Sequence, residues 1–264
     1  MKLEVLVATV GQKDLSLAEK MNIGRDAVIA NQCGTWGYEE QQGSGGTVRM
    51  LSTATQGVGV NRNLALELAK GDILLFADDD IVYYDDLQPV IDAFRELPRA
   101  DVIFFGVDMT RGGEIFDRRR HKRGRLHSWN SMKYGACRMA VRREAIEEKR
   151  LCFSTLFGGG SLYCSGEDTI FIRDCLRNGL RLYAHEHVLG ACAKDSSSWF
   201  TGFGEKYFFD RGAMIACAFP KCKSFVKWYY ILKFARKTEL PLRTVIRRTN
   251  EGIRAFRKQE GFGC

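Results

Sequence analysis

The sequence predicts an α/β fold: a doubly wound, mostly parallel central sheet flanked by helices. Three observations predict it. Short apolar runs alternate with amphipathic ones through the first half, as a parallel sheet with crossover helices requires. The apolar run 72–77 ends on three consecutive aspartates, where open α/β sheets gather polar groups. A composition of 45% hydrophobic and 27% charged residues over 264 positions, with only four prolines, is that of a globular chain with a sizeable core.

Taken in order, residues 2–8 and 26–30 read as strands and 47–51 as a third. Residues 60–70 read as a helix, with Leu64, Leu66 and Leu68 among Ala and Glu and with Gly71 at its end. The run 72–77 is the clearest buried strand, 86–97 a helix and 101–106 another apolar strand. The stretch 111–125 mixes glycine with Arg118, Arg119, Arg120, Lys122, Arg123 and Arg125, which predicts a mobile loop. Residues 136–141 predict a strand, 144–150 a short helix, 157–166 a flexible Gly- and Ser-rich stretch, and 167–177 a helix through Ile170, Phe171, Cys175 and Leu176. From Lys221 to Lys258 only Glu239 and Glu251 oppose the many Lys and Arg. That segment holds the aromatic stretch 225–230 and predicts helices divided near Pro241. The expected organisation is one α/β domain over 1–220 and a basic, aromatic helical extension over 221–264.

Several function classes drop out. No uncharged apolar run reaches about 18 residues, so no transmembrane helix is expected. The N-terminus lacks the apolar core and cleavage site of a signal peptide. The nine cysteines form no CxxC pair, which points to reduced thiols in a cytoplasmic protein. The net charge of +8 favours anionic partners: nucleotides, phospholipid surfaces or nucleic acid. Without a helix-turn-helix, zinc-finger or RNP motif, nucleic acid is not expected among them.

Three features carry candidate chemistry. Asp78, Asp79 and Asp80 follow a buried strand. They suit a Mg²⁺ or Mn²⁺ ion whose shell diphosphate oxygens complete, or an acidic turn capping the next helix. Glu167 and Asp168 open a helix behind a glycine-rich stretch, where acids serve as caps or as a general base reaching into a cleft. Arg62, between Asn61 and Asn63, can hold phosphate or a base, or lie on the surface. His185 and His187 lie two apart on one face of a strand; a hydrogen-bonded structural role is the simpler reading, and His187 is a further candidate metal ligand. Trp129 and Trp199 can stack on a sugar or pack in a loop.

In order along the chain, these features resemble the family 2 glycosyltransferases, enzymes of the GT-A fold that use nucleotide-sugar donors. The resemblance spans about residues 2–215. It comprises a first strand ending in Ala8-Thr9, a second ending in Asn31-Gln32, Arg62-Asn63 with its Leu-Ala-Leu helix, the Asp-x-Asp motif Asp78–Asp80, and the pair Glu167–Asp168. Ser197-Ser198-Trp199-Phe200 and the stretch from Glu205 to Ala213 look like members from bacterial capsule and surface-polysaccharide clusters. Asn31 stands where the family often has an Asp that receives uracil.

The resemblance implies a transfer from a nucleotide-sugar, of UDP type, to a glycan or lipid-linked glycan acceptor, with inversion. It implies Thr9, Asn31, Arg62, Asp78 and Asp79 as donor-binding residues, and Asp80 with Asp78 as ligands of Mn²⁺ or Mg²⁺. Asp168 is implied as the catalytic base, with Glu167 orienting the acceptor or exchanging roles with it. A lipid-linked acceptor gives the basic tail a place on the cytoplasmic face of an anionic inner membrane. The rival readings are a nucleotidyltransferase, which also sets acidic metal ligands on a nucleotide-binding sheet, and a non-catalytic basic membrane- or nucleic-acid-binding protein on a degenerate transferase scaffold.

Overall fold

The computed structural model describes residues 1–43, 45–119, 122–193 and 202–260. Its strands are β1 (Leu3–Val10), β2 (Asp26–Gln32), β3 (Gly37–Gln42), β4 (Thr47–Thr53), β5 (Ile73–Asp78), β6 (Ile81–Tyr83), β7 (Val102–Arg111), β8 (Glu114–Arg119), β9 (Gly124–Leu126), β10 (Met139–Arg142) and β11 (Leu182–Ala193). Its helices are α1 (Leu17–Lys20), α2 (Val58–Leu68), α3 (Gln88–Glu96), α4 (Arg143–Glu148), α5 (Glu167–Arg177), α6 (Glu205–Ala218), α7 (Lys223–Phe234) and α8 (Leu242–Glu260). All strands join one sheet in the order β3-β4-β2-β1-β5-β10-β7-β11-β6, with β8 added to β7 and β9 to β11.

The run β4-β2-β1-β5 is parallel throughout. Strand β10 then lies antiparallel to both β5 and β7, and β7 is parallel to β11. The two reversals cancel, so β4, β2, β1, β5, β7 and β11 all end at the same edge. Alternation along each strand fills both faces. Val5, Val7, Ile29 and Leu75 enter one core with α3, whereas Leu6, Val28, Leu74 and Phe76 enter a second with Phe153 and Phe171.

A buried ion pair ties α2 to this sheet. Arg49 of β4 pairs with Glu4 of β1 and donates to the Leu68 carbonyl at the end of α2 (2.7 Å). The other Glu4 oxygen accepts the amides of Lys70 (2.6 Å) and Gly71 (2.8 Å). Both charges are thereby paired and hydrogen-bonded, the condition under which a buried pair is tolerated.

Two expectations are corrected. The basic stretch 111–125 is sheet rather than loop among its described residues. Strand β7 continues past Gly106, and β8 folds back on it with Asp108 opposite Arg118; β9 pairs with β11. The stretch 157–166 is pinned rather than flexible. Gly158 donates to the Tyr163 carbonyl (2.8 Å), Val58 of α2 donates to the Gly159 carbonyl (2.9 Å), and the Phe157 ring stacks on Tyr163 with centroids 4.7 Å apart. The segment 197–200, with Trp199, lies outside the described residues.

Helices α6 and α8 cross at two glycines. A Cβ on Gly252 would sit 1.9 Å from the Phe209 carbonyl oxygen, and one on Gly212 2.1 Å from that of Thr249. Backbone fills those positions, so a methyl group there forces the helices apart. Gly252→Ala is expected to lower unfolding stability by about 1–3 kcal/mol, read as the urea midpoint. Exposed helical glycines respond to alanine with the opposite sign, a gain of about 1 kcal/mol.

Candidate active site

The shared C-terminal edge of the strands is where side chains from separate loops can meet. Asp78 closes β5, and Asp79 and Asp80 form the turn into β6. That turn is held by the Ala193 amide at the end of β11, which donates to the Asp80 carbonyl (3.1 Å). Glu167 and Asp168 open α5 directly after Gly166, whose φ of 122° is open to glycine and strained for other residues. A Cβ there would also strike Met214 of α6 at 2.6 Å.

Arg62 of α2 joins the two sets of acids. Its side chain is only 5% exposed. One guanidinium nitrogen donates to Asp78 Oδ1 (2.8 Å); the other donates to Asp168 Oδ1 (2.8 Å) and Glu167 Oε1 (3.2 Å). The guanidinium carbon lies 5.3 Å from the centroid of the Phe153 ring, which stacks on Phe171 at 4.1 Å. Asn63 holds Phe153 in place, donating to its carbonyl (2.9 Å) and accepting its amide (2.8 Å).

Charge in this cluster is unbalanced, and the protonation equilibria show it. Burial works against the Arg62 charge, but Asp168, Asp78 and Glu167 outweigh it and hold the guanidinium above its ordinary range. Burial, and then repulsion from Asp168, push Glu167 up; Arg62 opposes them. Asp80, although solvent-accessible, is pushed up to about 6 by desolvation at the strand edge and by Asp78.

The structure therefore brings Arg62, Asp78, Glu167 and Asp168 together, with Asp79 and Asp80 alongside. Thr9 joins them, its hydroxyl donating to Asp79. Asn31 lies at the same edge but is fully buried. Its Oδ1 accepts the Gln12 amide (3.0 Å), and its Nδ2 donates to the Gln12 carbonyl (2.9 Å) and to Ser52 (3.1 Å). It clamps the loop after β1, so its reach toward a ligand passes through Gln12.

His187 is not brought to the acids. It lies six residues before Ala193 on β11, ahead of the register irregularity between Val188 and Ala191. Its amide donates to His185 Nδ1 (3.3 Å), and the His185 ring faces Phe105 and Glu96. Among the described residues, no group of three or more His, Cys, Asp or Glu is arranged to hold a metal ion.

Sequence reasoning missed Asn61 and Phe153. Asn61 donates to the carbonyls of Thr9 (3.0 Å) and Ala30 (2.8 Å), strapping α2 across β1 and β2. Its place beside Arg62 was the only signal; Phe153 had none.

Removing the Arg62 charge leaves three carboxylates facing one another in a half-buried cluster. Arg62→Met is expected to lower stability by about 3–5 kcal/mol near neutral pH. The deficit should shrink as pH falls through the carboxylate range. Without Arg62, which opposes the upward push of burial on Glu167, that carboxyl rises further above its unfolded value, and stability from such a group is present at low pH and lost as pH rises. Denaturant titrations at several pH values measure both effects.

Residues 37–151 match the family model described as Glycosyl transferase family 2. That span includes Arg62 and Asp78–Asp80 and stops before Glu167. No curated protein matches the chain. Among solved structures, S. aureus TarS 1-349 in complex with UDP-GlcNAc is similar at 14% identity and a TM-score of 0.62, over 98% of this chain and 92% of that one. The same protein in complex with UDP gives 16% and 0.61, over 97% and 83%. The longer TarS gives 14% and 0.56, over 98% of this chain and 43% of that one. Over residues 37–151 the chain is thus similar to the family 2 glycosyltransferases, and its fold is that of TarS.

Proposed function

We propose that the chain transfers a sugar from a UDP-sugar to a glycan or lipid-linked glycan acceptor in surface-polysaccharide synthesis, with inversion and with help from Mg²⁺ or Mn²⁺. The observation that carries the proposal is the Arg62 bridge. It gathers the acid that ends β5 and the acids that open α5 around one guanidinium at the C-terminal edge of the sheet. Nucleotides bound to the structurally similar TarS support the donor class.

Asp78 and Asp80 suit a hydrated divalent cation. Mg²⁺ characteristically takes one or two carboxylates and completes its octahedron with water and phosphate oxygens, so no third protein ligand is needed. Burial, and then the neighbouring Asp78 charge, raise Asp80, and a cation would relieve both. When bound, the cation supplies neutralisation of the leaving diphosphate. Thr9 orients Asp79, and Arg62 keeps Asp78 in place. Asp168 is the more accessible of the helix-start pair, its side chain 28% exposed against 13% for Glu167. Asp168 takes the proton of an acceptor hydroxyl as that oxygen bonds to the anomeric carbon and the bond from this carbon to the diphosphate breaks. Glu167 sits deeper and positions the acceptor side of the cleft.

Asp80→Asn should abolish the cation-dependent part of UDP binding in calorimetry; equal affinity with and without that carboxylate would refute the ligand assignment. Asp168→Asn should leave UDP binding nearly intact while transfer falls by about 10²–10⁴-fold. Normal turnover in that variant would overturn its role as base. Release of pyrophosphate instead of nucleoside diphosphate would assign the nucleotidyltransferase reaction.

A further inference from the structure

Helix α7 turns one face inward and leaves another exposed among the described residues. Val226, Tyr230 and Ile231 are buried. Phe225, Trp228, Tyr229 and Leu232 are exposed, Phe225 to 65% and Leu232 to 71%. Their spacing of three, four and seven residues places them in one stripe along the helix. Trp129, itself exposed and distant in sequence, packs edge-on against Phe225 at 5.3 Å and extends the stripe onto the next loop. A contiguous exposed apolar patch of this kind marks a surface that meets something other than water.

The charges around the stripe indicate what it meets. Lys223, Lys227 and Lys233 lie within α7, which contains no acid, and Arg236 and Lys237 follow it. Lys227 donates to Asn250 of α8 (3.2 Å). Asn250 lines a shallow groove of about 370 Å³ with Arg243, Arg247 and Arg254, whose acid Glu251 is already paired with Arg247 and Arg248. A second copy would bring the same positive charge against itself. An aromatic and aliphatic stripe edged with lysines instead matches the boundary between acyl chains and anionic headgroups.

We propose that the stripe Phe225–Trp228–Tyr229–Leu232, with Trp129, docks on an anionic lipid bilayer. The loop that carries Trp129 continues to Gly135, where a Cβ would lie 3.0 Å from Asp168 Oδ2. The docked face is thereby linked to the side of the cleft that holds the helix-start acids. Resting on the transferase reading, this makes the acceptor a lipid-linked glycan presented at the membrane.

The test is flotation of the full chain with phosphatidylglycerol-containing vesicles and with phosphatidylcholine vesicles, without donor. Binding to the anionic vesicles is expected to fall as salt shortens the Debye length from ~30 Å to ~8 Å. Phe225→Ser, Trp228→Ser and Leu232→Ser combined should abolish it, and each of Lys223→Gln and Lys233→Gln should weaken it about fivefold. UDP binding measured on the same variants should be unchanged, which separates failure of docking from failure of the transferase reading. No flotation at low salt, or flotation unaffected by the triple serine variant, would overturn the proposal. So would a self-association removed by that variant in the absence of vesicles, or binding to soluble polyphosphate with none to vesicles.

Discussion

One buried guanidinium organises the site. Arg62 can remain charged inside the protein only if that charge is paired, and the three acids that pair with its two terminal nitrogens come from segments far apart in sequence. Satisfying it sets the end of β5, the start of α5 and the direction of α2 at once. Phe153 supplies the apolar floor against which the guanidinium rests, and Asn63 supplies the clamp that keeps that ring still. Three carboxylates around one cation leave the cleft net negative. That is a suitable resting state for the cation-assisted transfer proposed above.

The sheet makes this meeting possible through its single internal reversal. Strand β10 lies antiparallel between β5 and β7, so β7 and β11 keep the direction of the N-terminal half. The acids of β5, the turn held by Ala193 and the start of α5 then face one edge. The pinned stretch 157–166 lies against the N-terminus of α2 there, so glycines that suggest mobility in the sequence serve close packing instead.

Strands β1, β2, β4, β5 and β7 and helices α2, α3 and α5 were legible because their apolar residues repeat at the period of the element and bury accordingly. Strand β3 was not: all six residues are exposed, so pairing with β4 left no hydrophobic pattern to read. Strand β8 was hidden by its arginines, which a sheet edge tolerates as readily as a loop does. In the site, Asp78, Arg62, Glu167 and Asp168 were legible as residue types at strand and helix ends. What the sequence could not express was partner identity. Asn31 had the right chemistry for a ligand, but it spends its hydrogen bonds on Gln12 and Ser52. His187 had the right chemistry for a metal, but the wrong place along its strand.

The glycine crossing of α6 and α8 reaches further than helix packing. Backbone touches backbone there, and Met214 of α6 in turn abuts Gly166, the residue that launches Glu167 and Asp168. Cutting the chain before α7 would therefore strip a brace from behind the acids as well as the basic face. An inactive truncation would have lost two things at once, and point substitutions on the outer surface of α7 are the cleaner dissection of the C-terminal helices.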